Sequence, residues 1–359
     1  MIMNPRVATG LYSHWDSVVK VDNKVLEWIR NSKKTKPAGT ANSLDEAVYT
    51  LAEAAKKGGR EFLISEKVYN ELNSLFPKRE MRLGGNGNNM GRILFSAGFN
   101  PLVSYPIRPK KLMLESPDFR VAVGKKTVIP KKAIRDDLEY DHIIFEFKDD
   151  RHILSWDPIT SKGIFDNDFL KLACNKKYTD ILVIAYAHLL LPKYKKRTDI
   201  LIDELSNGRP NVHLEFGTGS KESMMYAIQK LSDSGCCDSF GMNENECLDY
   251  FKACSENVED LIEASLNAIK EYNVKRICIH NPSFAFSISE YSPKKETEAL
   301  KAAHAVASGS DDAEHLKGSV EKAGKYNICL IRTKKSPILK NSTGLGDKFA
   351  AIQAVKSLF

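Results

Sequence analysis

Near its end the chain reads TGLGD over residues 343–347, followed by Lys348. Amides at the start of a helix converge on one spot and carry the positive end of the helix dipole, which favours a phosphate. An aspartate beside that spot, Asp347, can take a proton from a hydroxyl attacking phosphorus. A glycine turn with Asp347 as N-cap explains the same residues more simply. Lys348 would lie near a bound phosphate or face solvent. Residues 212–216, VHLEF, alternate apolar and polar positions, so His213 and Glu215 project to one side of a strand. A carboxylate at the end of a strand can hold Mg²⁺ directly or through water, and a structural His–Glu hydrogen bond is the plainer alternative. In GMNENE, residues 241–246, Glu246 offers a second carboxylate, although Asn243 with Glu246 also spells a capping box.

Two stretches suit a polyol. RLGGNGNNMG, residues 82–91, carries four glycines and three asparagines before a helical stretch, so backbone and amide groups are free for hydroxyls. It lacks the G-x-G-x-x-G spacing, and no P-loop occurs in the chain. Asp16, in GLYSHWDSV, could accept from a sugar diol or cap the segment after it. His280 follows another strand and fits either a buried structural histidine or a nucleotide wall.

These residues need a scaffold that brings strand ends together. From residue 180 onward, strand-like runs at 181–185, 212–216, 276–279 and 328–331 alternate with helical stretches near 199–206, 222–232, 244–270 and 296–307. That rhythm predicts βαβ units and a largely parallel sheet, with ligands outside the carboxyl ends of the strands. Residues 6–11 read as a first strand, and 44–57 as a helix capped by Ser43. Short strands at 119–123, 127–129 and 142–147 predict a smaller β-rich part. The division expected is a core of 1–20, 81–107 and 151–359, and a lid of 21–80 and 108–150.

The 359 residues are 42% hydrophobic and 28% charged, an ordinary globular composition. The net charge of +7 comes from short basic runs interleaved with acids, which points to solvated lysines and small anionic ligands rather than nucleic acid. No apolar run is long enough to span a bilayer. Seven cysteines without regular spacing suit a reducing, cytoplasmic setting, and no C-x-x-C pair suggests zinc. A monomer or weak homo-oligomer is expected.

Taken in order, 10–18, 82–91, His213-Leu-Glu215, 241–246, 276–291 and 343–347 resemble the motifs of the ADP-dependent glucokinase/phosphofructokinase family, archaeal sugar kinases with a ribokinase-like fold. The resemblance implies a three-layer α/β core with a mostly parallel sheet and a small β-rich lid. It implies ADP as phosphoryl donor, Mg²⁺, a sugar acceptor of the glucose or fructose 6-phosphate class, and AMP as product. In that reading Asp347 is the general base and the amides of Gly344 and Gly346 hold the transferred group. Glu215 and Glu246 organise the metal, and Asp16, Gly85 and Asn86 hold the sugar. His280, Asn281, Thr343, Gly344, Leu345 and Lys348 fall on the nucleotide side. Glu61 falls where glucose-using members carry a sugar-contacting glutamate, and its charge would oppose a phosphorylated sugar. Departures from the pattern are Lys348 in place of threonine, His14 and Trp15 in place of smaller residues, and no arginine in 210–275 for the nucleotide phosphates. They motivate two rival readings: an ATP-dependent ribokinase-type kinase, and a paralogue that binds nucleotide or sugar with little phosphoryl transfer.

Overall fold

The computed structural model describes residues 4–148, 150–158, 164–185, 193–206, 208–217, 220–309, 316–332 and 344–359. Its larger sheet has nine strands. In spatial order they are Gly318–Ala323, Tyr326–Arg332, Phe284–Ser289, Arg276–His280, Ser239–Met242, Asn211–Glu215, Ile181–Ala185, Val7–Gly10 and Leu102–Val103. From Arg276–His280 to Leu102–Val103 neighbours run parallel, and the first three strands are antiparallel.

The central strands are apolar on both faces because helices cover both. Leu182 and Ile184 join one cluster with Leu201, Met224 and Leu261. Ile181, Val183 and Ala185 join another with Leu94, Leu300 and Ile352. The result is the expected three-layer core. The single helical stretch anticipated at 244–270 is instead two helices, Glu244–Phe251 and Val258–Glu271. Lys252 ends the first in the left-handed region at φ 58°, and Asn257 caps the second through the Asp260 amide. Among the described residues, no helix is long and apolar enough to cross a membrane.

A second sheet has five strands, in the order Glu61–Leu63, Arg151–Ser155, Asp141–Glu146, His14–Lys20 and Glu80–Gly84. Helices Asn23–Asn31, Leu44–Lys57 and Glu66–Leu75 cover one face through Ile29, Val48, Leu51, Val68 and Leu72, packed on Ile143 and Phe145. The Ser43 cap is realised as a full capping box. Asp16, one of whose readings is a cap for the segment after it, lies inside the strand His14–Lys20. Residues 110–133 turn the other way. Leu112, Met113, Phe119 and Val121 pack with Trp15, Val103 and Tyr105, and Arg120 bridges Leu102. Their apolar side chains cover the edge of the large sheet, which otherwise ends at the short strand Leu102–Val103.

That segment is tied down by a buried ion pair. One guanidinium nitrogen of Arg108 lies 3.0 Å from both oxygens of Asp166, and each residue is only a few per cent exposed. Asp166 also accepts from the amides of Tyr105 at 3.0 Å and Phe169 at 3.1 Å. Arg108→Met therefore strands a buried carboxylate and should lower unfolding stability by about 3–5 kcal/mol in urea titration. A loss below about 1 kcal/mol would show that water solvates Asp166 in place of the arginine.

Candidate functional site

Glu215 ends its strand at the carboxyl edge of the large sheet, and the opposing position on the next strand is Gly241. A Cβ at 241 would stand 2.1 Å from Glu215 Oε2 and 2.8 Å from His213 Nε2. The carboxylate is held between two imidazoles, with His280 Nε2 2.7 Å from Oε1 and His213 Nε2 3.6 Å from Oε2. Burial alone would raise its pKa, but His280 and His213 together bring it below the ordinary value. His280 correspondingly rises against its own burial because Glu215 faces it. Oε2 has no hydrogen-bond partner among the described residues.

Glu246 forms the capping box the sequence allows, accepting from the Asn243 amide at 3.0 Å while Asn243 accepts from the Glu246 amide at 2.9 Å. Burial, and then the charge of Glu215, push its carboxyl up to about 7. Cap and metal-side carboxylate are thus compatible readings of one residue. Two oxygen donors that repel each other and one unpartnered buried oxygen fit a hard divalent cation such as Mg²⁺.

The helix Leu345–Leu358 begins at Gly344, whose φ of 71° is left-handed. Lys348 N–H donates to the Gly344 carbonyl at 3.0 Å, so the amides of Leu345, Gly346 and Asp347 precede the first helical hydrogen bond. Asp347 accepts from Asn89 Nδ2 at 2.9 Å. Burial raises its carboxyl to about 6, although the Asn89 hydrogen bond opposes the shift. A Cβ on Gly346 would approach His280 Cε1 at 3.3 Å and Glu215 Oε1 at 3.8 Å. The helix start therefore abuts the Glu215–His280 pair. Thr343 lies outside the described residues.

A cleft of about 760 Å³ opens beside Asp347's partner Asn89, lined by Trp15, Asp16, Arg82, Arg92, Lys111 and Lys348, with Glu80 and Glu115 also on its wall. Asp16 Oδ1 lies 3.0 Å from His14 Nε2. Its carboxylate fits because Gly84 has no side chain, a Cβ there coming within 2.3 Å. Arg82 is tied to Glu80 at 2.8 Å and Glu146 at 3.2 Å. Lys111 Nζ stands 5.5 Å from the centre of the Trp15 ring. Burial, then Arg92, lowers the pKa of Lys348.

Other anticipated residues make the following contacts within the protein. Asn86 accepts from the Tyr12 amide at 3.2 Å and donates to the Ala185 carbonyl at 3.4 Å, so its amide group ties the connection after Val7–Gly10 to the end of Ile181–Ala185. Gly85, at φ 80°, passes close to the Tyr12 carbonyl, 2.8 Å from where a Cβ would stand. Asn281 accepts from the amides of Ser283 and Phe284, a turn role. Glu61 accepts from Ser155 at 2.6 Å and lies 3.8 Å from His142, outside the lining of the cleft. His14, Asp16 and His142 close to within 4.8 Å of one another. Yet His142 has Glu61 3.8 Å from one ring nitrogen and Asp157 3.7 Å from the other. Burial opposes its charge, but these carboxylates win and raise it to about 9, so it reads as an imidazolium in an ionic network. Two residues were missed by the sequence reading. Asn89 could have been found one helical turn after Asn86. Arg151, at the start of a strand in the smaller sheet, is partly buried, feels the charges of Asp16 and Asp347, and opposes the rise of the Asp347 carboxyl. A second cavity, of about 790 Å³, opens around Arg209, Asp238 and Lys275 and contains none of these residues.

Residues 5–328 match the model of the ADP-specific phosphofructokinase/glucokinase conserved region. The fold is similar to a hypothetical ADP-dependent phosphofructokinase from Pyrococcus horikoshii OT3, with TM-score 0.73, 18% identity and coverage of 99% of this chain and 98% of that one. It is similar to an ADP-dependent kinase in complex with fructose-6-phosphate and ADPβS, with TM-score 0.76, 15% identity and coverage of 98% and 93%. A third likeness is to the last common ancestor of ADP-dependent phosphofructokinases from Methanosarcinales, at TM-score 0.70, 15% identity and coverage of 99% and 94%. No curated protein matches the sequence. The family match ends before Gly344, so the helix start is placed by the structure alone.

Gly241→Ala should displace the Glu215 carboxylate and cut turnover roughly 100-fold, as misplacement by an ångström can, with far-UV circular dichroism unchanged. Full turnover in that variant would show that Glu215 has room to move.

Proposed function

Because the chain belongs to the ADP-specific phosphofructokinase/glucokinase family of sugar kinases, we propose that it transfers the β-phosphoryl group of ADP to a hydroxyl of a phosphorylated sugar, releasing AMP. The observation that carries this reading is Asp347: a carboxylate at a helix start, bonded to Asn89 beside the cleft that holds Asp16. As the acceptor oxygen bonds to phosphorus and the bond to AMP breaks, the hydroxyl proton passes to an oxygen of Asp347. The amides of Leu345, Gly346 and Asp347 receive the charge of the transferred group, a role oriented backbone dipoles perform without reorganising. His280, whose protonated form is favoured by Glu215 against its burial, stands beside Gly346. Arg151 faces the same centre from the smaller sheet and takes the part for which 210–275 offers no arginine.

Glu215 and Glu246 would hold Mg²⁺, which when bound neutralises charge on the nucleotide phosphates. Asp16 orients the acceptor through its hydroxyls. Arg92, Lys111 and Lys348 supply the cations for a phosphate on that acceptor, while Glu61, the residue that would oppose one, points to His142 and Ser155. With the second sheet as lid, closure excludes water, which protects ADP from hydrolysis.

Asp347 must be ionised to accept a proton. Its carboxyl is raised to about 6, so kcat/KM should rise with pH through about 6 with a one-proton slope and fall away below it. Asp347→Asn should lose about 10²–10⁴-fold in kcat with ADP affinity nearly intact. Unchanged turnover would remove Asp347 from the chemistry. In a coupled assay ADP should outperform ATP as donor, and fructose 6-phosphate should outperform glucose as acceptor. Preference for ATP would favour the ribokinase-type reading, and tight binding without turnover on any acceptor the non-catalytic one.

A further inference from the structure

Behind Glu215 lies a chain of buried polar groups that the proposed chemistry does not use. Arg276, about 1% exposed, begins the strand next to the one that carries Ser239. Its Nη2 donates to Ser239 Oγ at 3.3 Å. Ser239 Oγ is 2.8 Å from His213 Nδ1, and His213 Nε2 faces Glu215 Oε2 at 3.6 Å. We propose that Ser239 and Arg276 are positioning residues that hold His213 as its Nε2–H tautomer and so aim a proton at the Glu215 carboxylate.

The assignment follows from counting donors. A guanidinium only donates, so Arg276 occupies a lone pair of Ser239. The hydroxyl proton of Ser239 then has one acceptor among the described residues, His213 Nδ1. Nδ1 must be the bare nitrogen, and the proton resides on Nε2. The opposite tautomer would set the Nε2 lone pair against Glu215 Oε2 and leave the Ser239 proton without an acceptor. Both outcomes are expensive in a buried site.

The arginine is itself fixed from below. Its Nη1 bonds Ser357 and lies 3.6 Å from Glu296 Oε1, and Gln353 Nε2 donates to Glu296 Oε2 at 3.2 Å. Ser357 and Gln353 belong to the helix Leu345–Leu358, whose first turn carries Asp347. One buried cation therefore sets both the orientation of Glu215 and the seating of the Asp347 helix. Only the consequence for the metal rests on the proposed function; the tautomer does not.

The test is two-bond ¹⁵N–¹H NMR on ¹⁵N-histidine protein without metal or nucleotide. The eight histidines are resolved by assigning the His213 signals with His213→Gln. The expected result is protonation at Nε2 with Nδ1 bare, and mixed tautomers in Ser239→Ala. Protonation at Nδ1, or an unchanged Nε2–H form in Ser239→Ala, overturns the proposal. Calorimetry with Mg²⁺ gives an independent readout. Ser239→Ala should weaken binding about 10-fold and Ser239→Thr, which keeps the hydroxyl, should restore it. Equal weakening in both variants would mark Ser239 as a packing residue only and count against the relay. Absence of Mg²⁺ binding by the unsubstituted protein would sink the metal role of Glu215, while the NMR result still decides the tautomer.

Discussion

A carboxylate taken out of water must find its compensation within the protein, and Glu215 finds it in His213 and His280. At 4% exposure it could not stay ionised on its own. The two imidazoles reach it from its own strand and from the end of Arg276–His280, so the parallel register of the central strands is a condition of the charge. The chain of consequences extends outward from there. Glu246 is pushed towards protonation by burial and then by the charge of Glu215, and Gly346 can approach because it has no side chain to collide with His280. A buried charge of this kind adds little stability. It fixes where a small number of atoms must be.

Both sheets bring charged side chains to the region between them. The carboxyl edge of the large sheet brings Glu215, with Glu246 and Asp347 on the helices beside it. The smaller sheet brings Asp16, Arg82 and Arg151, and the cleft wall adds Arg92, Lys111 and Lys348. Acidic and basic side chains therefore stand side by side there, Asp347 next to Lys348 on one helix and Asp16 opposite Arg82 on neighbouring strands. Distant segments meet within the site, since Asn89 reaches Asp347, 258 residues later.

What could be read from the sequence was whatever local periodicity encodes. The alternation in 212–216 places His213 and Glu215 together, and the spacing of Asn243 and Glu246 announces a cap that the structure forms. The βαβ rhythm after residue 180 announces the parallel sheet. His14–Lys20 was hidden because it is buried along nearly its whole length while carrying His14, Asp16 and Ser17, a composition that looks like a loop. Glu61–Leu63 is only three residues long, too short to show a period. Arg151 and Asn89 were invisible for a different reason. Their importance lies in approach across the tertiary fold, and nothing in the neighbouring residues records it. The amide of Asn86 marks it as a candidate sugar ligand in the sequence, while its bonds to Tyr12 and Ala185 come only from the fold.

Gly84 and Gly241 share a property that reaches beyond this one molecule. Each lies under a carboxylate of the site, Asp16 or Glu215, and each leaves room that a single methyl group would fill. The polar residues could all survive unaltered while the geometry is lost. In evolutionary terms, an active kinase of this shape stands one small mutational step from a protein that keeps its fold and its motifs but not its catalysis. Inspection of the charged residues alone would not tell the two lineages apart.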